Sequence, residues 1–298
     1  MAELKESLTF YQSPKLSKPI LVMGFEGWAD AGRVSSGTVA YLRDKLGARR
    51  LAEIRPDEFY LFGPTGLEAR RPPIDVENGL VKALDTPTTR FWFYQNQSSD
   101  QDLIISLGPE PELAWNKYVQ VVLDFAQELN VERIYTIGGT FDRVPHTIEP
   151  IITALVSEPS LIDEMREYGI GLANYQGPTA IHSLVLVSAG RRGIRTVGLW
   201  GHAPHYIQVP NTKVCYHLLL KLSKMLKLSL NLDNVKRAAE YLDAQVNEVI
   251  NQKAELKEYI RGLEEEYRQG KPEGEPLRED IIKEIEEFLR ERREKGED

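Results

Sequence analysis

The sequence predicts an α/β fold: a three-layer α/β/α sandwich on a mixed, mainly parallel sheet, extended by a C-terminal helical hairpin. Two observations predict the sandwich. Short apolar runs alternate with stretches of helical periodicity. Those runs also lack the apolar/polar two-step of a sheet with one wet face, so helices must cover both faces. A third observation predicts the hairpin, because beyond Leu230 the glycines vanish until Gly262 and apolar residues recur in three- and four-residue steps.

The first run, residues 19–24 (PILVMG), reads as a buried strand, and similar runs follow at 90–94, 102–108, 133–138 and 195–201. Residues 54–84 are richer in Pro and Gly, so an antiparallel hairpin or irregular insertion is expected there. Trp115, Tyr118, Val122, Phe125 and Leu129 mark one helix, and Val214, Leu218, Leu222 and Met225 another. Cys215 shares that second stripe and is expected in the core as a small hydrophobe. A further helix, GPTAIHSLVLVSAG, carries Thr179 as its expected N-cap and His182 one turn in, at a core or interface position.

In the tail, Val235, Leu242, Val249, Leu256 and Leu263 share one heptad position, and Ala239, Val246, Lys253, Ile260 and Tyr267 the other. The GKPEGEP stretch must interrupt the helix, after which Leu277, Ile281, Ile285, Phe288 and Leu289 resume an amphipathic stripe. The chain therefore divides into a core domain, 1–230, and an acidic helical hairpin, 231–298. The hairpin either packs on its own body or presents a seam to a second chain. In the latter case Leu242, Val246, Val249, Leu256, Ile260 and Leu263 are the candidate oligomer or partner interface.

Of the 298 residues 42% are hydrophobic and 28% charged, a balance that excludes general disorder. No apolar run approaches the roughly 20 residues that cross a bilayer, and MAELKESLTF lacks the pattern of a secretory leader. No membrane contact and a cytoplasmic location are expected. The single cysteine excludes an intrachain disulfide and a thiolate metal cluster within one chain. Of the net charge of −8, residues 231–298 hold −7, which leaves a nearly neutral body with little to attract a phosphate backbone; no nucleic-acid partner is expected.

Four glycine-marked turns follow predicted strands, and in an open parallel sheet such carboxyl ends gather in one crevice. The candidate catalytic residues there are Asp30, Glu110, Thr140 and His202, a mixture adequate for general acid/base work. Glu26, Trp28, Asp142 and His205 are the ligand-binding candidates. Trp28 either stacks on a ligand or, the favoured expectation, plugs the gap beside its glycines. GFEGWADAG is not G-x-G-x-x-G, no G-K-[ST] follows a glycine-rich loop and no serine lies in a G-x-S-x-G elbow, so no nucleotide cofactor is expected. Pro204 between His202 and His205 excludes a helical metal pair; zinc would need Asp142, His146 or Glu149 as well, and no metal site is expected.

The series GFEGWADAG, DLIISLGPEPELAW, GGTFDRVPHT, GPTAIHSLVLV and GLWGHAPHYIQVPN resembles the proteasome-assembly-chaperone family, second paralogue type, in its prokaryotic form, over about residues 18–260. The resemblance implies a sandwich similar to nucleoside phosphorylases and peptidyl-tRNA hydrolases, self-association with a trimer favoured, and other protein subunits as partners. Relatives are sometimes labelled carboxylate-amine ligases of ATP-grasp type, for which the absent phosphate-gripping motif offers no support. Some archaeal members dock on proteasome subunits through a C-terminal hydrophobic-Tyr-any motif; this sequence ends Lys295-Gly296-Glu297-Asp298 and departs from it. A non-catalytic assembly-chaperone-like or scaffold protein is therefore expected. The alternative is an enzyme or small-ligand sensor that takes a nucleoside-like or amide substrate in the crevice.

Overall fold

The computed structural model describes residues 7–61, 72–270 and 277–294. Its main sheet has nine strands: β1 (Leu8–Phe10), β2 (Ile20–Glu26), β3 (Arg49–Ile54), β6 (Arg90–Tyr94), β7 (Leu103–Pro109), β8 (Arg133–Asp142), β9 (Ile152–Val156), β10 (Gly171–Leu172) and β11 (Arg195–Pro204), in the order β1-β3-β6-β7-β2-β8-β11-β9-β10. The centre is parallel: β2 pairs with β7 and β8, and β8 with β11. Antiparallel pairing joins β6 and β9 to this centre.

Helices cover both faces. Leu21 and Met23 of β2 meet Tyr118, Val122 and Phe125 of α2 (Trp115–Glu128) and Ile181 and Val185 of α4 (Ile181–Arg191). Ile20 and Val22 point the other way, to Val39 and Leu42 of α1 (Val34–Lys45), Leu161 of α3 (Ser160–Glu167) and Leu218 and Leu222 of α5 (Thr212–Met225). Two apolar layers thus use alternate residues of one strand, which is why its sequence shows no polar alternation. The 54–84 insertion contains the expected antiparallel hairpin, β4 (Ile74–Glu77) with β5 (Leu80–Leu84), a separate two-stranded sheet. Its turn residues Asn78 and Gly79 both have positive φ, 51° and 80°, as a two-residue hairpin turn requires. Residues 62–71 of the insertion lie outside the described residues.

The tail differs from its expected form in two ways. The helix does not run through its heptads: Lys253, at φ −129° and ψ 124°, separates α6 (Asp233–Gln252) from α7 (Ala254–Gln269), and α8 (Glu279–Glu294) follows. Lys253 reaches its solvated ion pair with Glu284 of α8 from that break, which resolves the ammonium in the apolar seam. The seam itself is also not free. Leu242, Val246, Val249, Leu256, Ile260 and Leu263 are all buried within this one chain, among Tyr206, Ile207 and Val209 of the loop before α5 and Ile281, Ile285 and Leu289 of α8. As a surface for a second chain they are corrected by that packing, because their apolar area is already out of water. The GKPEGEP stretch, Gly270 apart, and the terminal residues 295–298 lie outside the described residues.

Polar ties fasten the tail to the body. Arg143 pairs with Glu266 at 2.9 Å and Lys213 with Asp243 at 2.7 Å, while the Tyr259 hydroxyl meets His205 Nε2 at 3.0 Å. Among the described residues no helix is long and apolar enough to cross a membrane. Val246 is 0% exposed. Val246→Asp and Ile260→Asp should each cost several kcal/mol by burying an unpaired carboxylate. Thermal unfolding and far-UV circular dichroism check this, and unchanged melting and helicity would refute the packing.

Candidate functional site

The parallel centre of the sheet brings the carboxyl ends of β2, β7, β8 and β11 to one edge. A cleft of about 770 Å³ opens there. Trp28, Asp30 and Arg33 from the turn after β2, Thr140 and Phe141 of β8 and His202 of β11 line it. Thr153 and Leu155 of β9, Tyr175 from the segment after β10, Ser183 of α4 and Trp200 of β11 complete it. Gly138 makes room for this wall, since a Cβ there would stand 2.8 Å from the Trp200 ring. Trp28 is 61% exposed and does not plug a gap, a correction to the packing expected for it. Its neighbour Gly27 has φ +126°, so the turn carries the indole outward to the cleft rim.

Two carboxylates from the predicted set are tied into the framework. Asp30 accepts from the Ser36 backbone N–H (2.9 Å) and hydroxyl (2.6 Å) in the first turns of α1. Glu110 accepts from the Ile181 backbone N–H at 2.8 Å and from that of Trp28, so it caps α4 from a distant loop. This replaces the expected Thr179 cap, for the helix begins after Ala180 and the Thr179 hydroxyl turns to the Ala180 carbonyl. Burial raises the pKa of both carboxyls above the usual range. Glu110 joins the turns but does not line the cleft. Glu26 contributes its carbonyl, which accepts from the Glu110 N–H at 2.7 Å.

The remaining candidates meet in a hydrogen-bonded array. Asp142 Oδ2 lies 2.8 Å from His202 Nδ1, and His202 Nε2 lies 2.9 Å from the Thr153 hydroxyl. The hydrogen bond from His202 holds the Asp142 pKa below the usual carboxylate range. An ionised Asp142 accepts from Nδ1–H, which leaves Nε2 to accept from the Thr153 hydroxyl. This is the order nucleophile, base, orienting acid of an acyl-transfer triad. Thr153 was missed by the sequence reading: it sits inside a short apolar strand, ITALV, and its pairing with Trp200 is a long-range fact. Thr140 lies beside the array, and its hydroxyl turns to the Phe141 carbonyl at 3.3 Å.

His205 stands apart from the cleft. Its Nδ1–H donates to the Asp142 carbonyl (3.2 Å), Tyr259 holds its Nε2, and burial pushes its pKa down. Of the groups considered for zinc, His146 bonds Tyr206 and Asn247, and Glu149 lies 3.6 Å from His217. Among the described residues no three His, Cys, Asp or Glu side chains come together as a metal site. His182 is in the core, where its Nε2–H donates to the Ile137 carbonyl at 2.9 Å between Phe25 and Trp200. Cys215 is buried, and desolvation pushes its thiol up to about 11.

The model of the PAC2 family matches residues 24–250. A comparison with curated proteins found no match. Among solved structures, the chain is similar to a PAC2 family protein from Streptomyces avermitilis, with 28% identity, 81% of this chain and 99% of that one covered and a TM-score of 0.72. It is similar in the same measure to a proteasome-assembly chaperone homologue from Mycobacterium tuberculosis, with 27% identity, 81% and 99% covered and a TM-score of 0.72. An archaeal proteasome activator from Pyrococcus furiosus shares the fold, with 20% identity, 82% and 98% covered and a TM-score of 0.63.

Two predictions follow from this edge of the sheet. Gly27→Val forces a branched residue to positive φ, with its Cβ 3.3 Å from that of Glu110. It should cost roughly 1–3 kcal/mol, read as a lower melting temperature, and an unchanged one contradicts the turn. His182 is pushed from its ordinary 6.5 to about 4 by burial. The unfolded chain therefore binds the proton first, and this stabilisation, whole above pH 6.5, is lost as pH falls toward 4. The loss by pH 4 is on the order of 3 kcal/mol. His146 and His205 share the direction, so His182→Gln should flatten the acid limb of melting temperature against pH without abolishing it. Superimposable profiles would refute this.

Proposed function

Since this chain belongs to the PAC2 family, we propose that it works as an assembly-chaperone-like or scaffold protein. It forms a homo-oligomer, with a trimer favoured, binds other protein subunits in the cytoplasm and has no chemical step of its own. The observation that carries this reading is the likeness to the Mycobacterium tuberculosis proteasome-assembly chaperone homologue along 99% of that chain. Proteasome subunits are accordingly the partner class. The state of the buried carboxylates supports it, because Asp30 and Glu110 are spent as acceptors of backbone N–H groups. Such groups act as rivets, and neither is a free base.

A second reading has one specific observation in its favour. The Thr153–His202–Asp142 array opens on the cleft, an arrangement suited to an enzyme or sensor for a nucleoside-like or amide ligand. The two readings separate experimentally. Purified full-length protein mixed with proteasome α-subunits should co-migrate with them on native gels, at a molar mass above the 33.9 kDa of one chain. A chain that runs alone beside untouched subunits would remove the partner class. For the second reading, nucleosides, nucleotides and small amides are screened by thermal shift, where a ligand at a hundred times its Kd adds about 2.7 kcal/mol. A shift lost in His202→Ala would favour chemistry in the cleft, and silence across the set would count against it.

A further inference from the structure

Thirteen large hydrophobic side chains are exposed among the described residues. Eight of them are on two features: Trp28, Phe141 and Tyr175 line the cleft, and Ile74, Val76, Leu80, Val81 and Leu84 are on the β4–β5 hairpin. The hairpin is rooted at the same edge of the sheet as the cleft. It leaves the chain after Leu61, whose N–H bonds Glu112 in the turn after β7, and returns into β6, where Arg90 pairs with Leu107 of β7. Every residue of β4 and β5 is exposed.

The hairpin is amphipathic in a way that its own chain does not use. Ile74 pairs with Leu84 and, past a bulge, Val76 with Val81, so these four aliphatic side chains share one face, while Asp75 and Glu77, with Leu80 opposite Glu77, mark the other. Those four are 52% to 62% exposed. A two-stranded hairpin alone is marginal in water, and one held out with a bare aliphatic face needs a cover. The cleft has the matching need: Trp28, Phe141 and Tyr175 leave its rim aromatic and open. One surface is a convex arm and the other a concave seat.

Resting on the homo-oligomer reading above, we infer that the aliphatic face of the β4–β5 hairpin of one copy seats on the Trp28, Phe141 and Tyr175 rim of a second copy. Seven large side chains, four on the arm and three on the seat, with on the order of 100 Å² each still in water, carry about 700 Å² over the two sides together, the apolar share of an interface of about 1,200 Å², the low end of stable contacts. Arm and seat are different surfaces, so the contact is heterologous, and such contacts build rings when the rotation between copies closes.

The test uses the full chain. Light scattering with size exclusion at micromolar concentration gives the mass of the wild type and of Val76→Asp/Val81→Asp. Both positions are exposed, so circular dichroism should show an intact fold. The wild type should be an oligomer and the double variant a 33.9 kDa single chain. For the geometry, Val76→Cys and Tyr175→Cys chains are co-expressed and treated with a bis-maleimide; the native Cys215 is buried and should stay silent. Crosslinked dimers should form in the mixture and not with Val76→Cys alone. A wild-type monomer would overturn both this contact and the homo-oligomer reading. A wild-type oligomer whose mass survives the double variant, or crosslinking of Val76→Cys to itself, would overturn the arm and seat while self-association stands.

Discussion

The strands β2, β7, β8 and β11 are buried on both faces and run in one direction, and the molecule is organised by the need to end them together. A buried strand satisfies its backbone through its neighbours, but at its end the peptide groups lose those partners while still shielded from water. The glycine-rich turns meet this need with side chains from far along the sequence. Asp30 closes the start of α1, Glu110 closes α4, and the Ser35 hydroxyl takes the Phe25 N–H at 2.9 Å and donates to the Ile137 carbonyl at 2.5 Å. Desolvation works against both carboxylates, and the N–H bonds offset it. The edge that carries the cleft is therefore a rigid framework first.

This explains which parts were legible in the sequence. ILVMGFE and its counterparts read as buried strands because two helical layers leave no polar alternation, and the structure has that arrangement. The turns could be placed for the same reason. What escaped the reading depends on contacts between distant segments. The heptads of the tail say which face is apolar but not what covers it, and Tyr206, Ile207 and Val209, which cover it, come from a loop without periodicity. The break at Lys253 is invisible to a pattern that tolerates one polar residue per seam. Thr153 carried no signal beyond a hydroxyl among aliphatics, since its neighbour His202 is 49 positions away.

The tail, for its part, is bound to the site's far wall. Arg143, beside Asp142, is held by Glu266, and Tyr259 holds the His205 ring whose Nδ1 bonds the Asp142 carbonyl. Both α7 contacts converge on the residue that orients His202. The ion pair is largely shielded, so removing Glu266 would leave a poorly hydrated guanidinium next to the array. The acidic surplus of the tail is partly used here and at Lys213, where Asp243 supplies the counter-charge.

Assembly and chemistry are not independent possibilities at such an edge. A threonine hydroxyl held by an imidazole, itself oriented by a carboxylate, links β8, β9 and β11 and works as a structural tie without any substrate. In an open cleft, water competes for each of these groups and weakens their mutual electrostatics. A protein surface laid over the aromatic rim would expel that water, stiffen the tie and narrow what can reach Thr153. On the proposed seating of protein at the rim, occupancy would thus decide whether the array acts as a strut or a site, because the same three residues can serve either role and the dielectric around them would change.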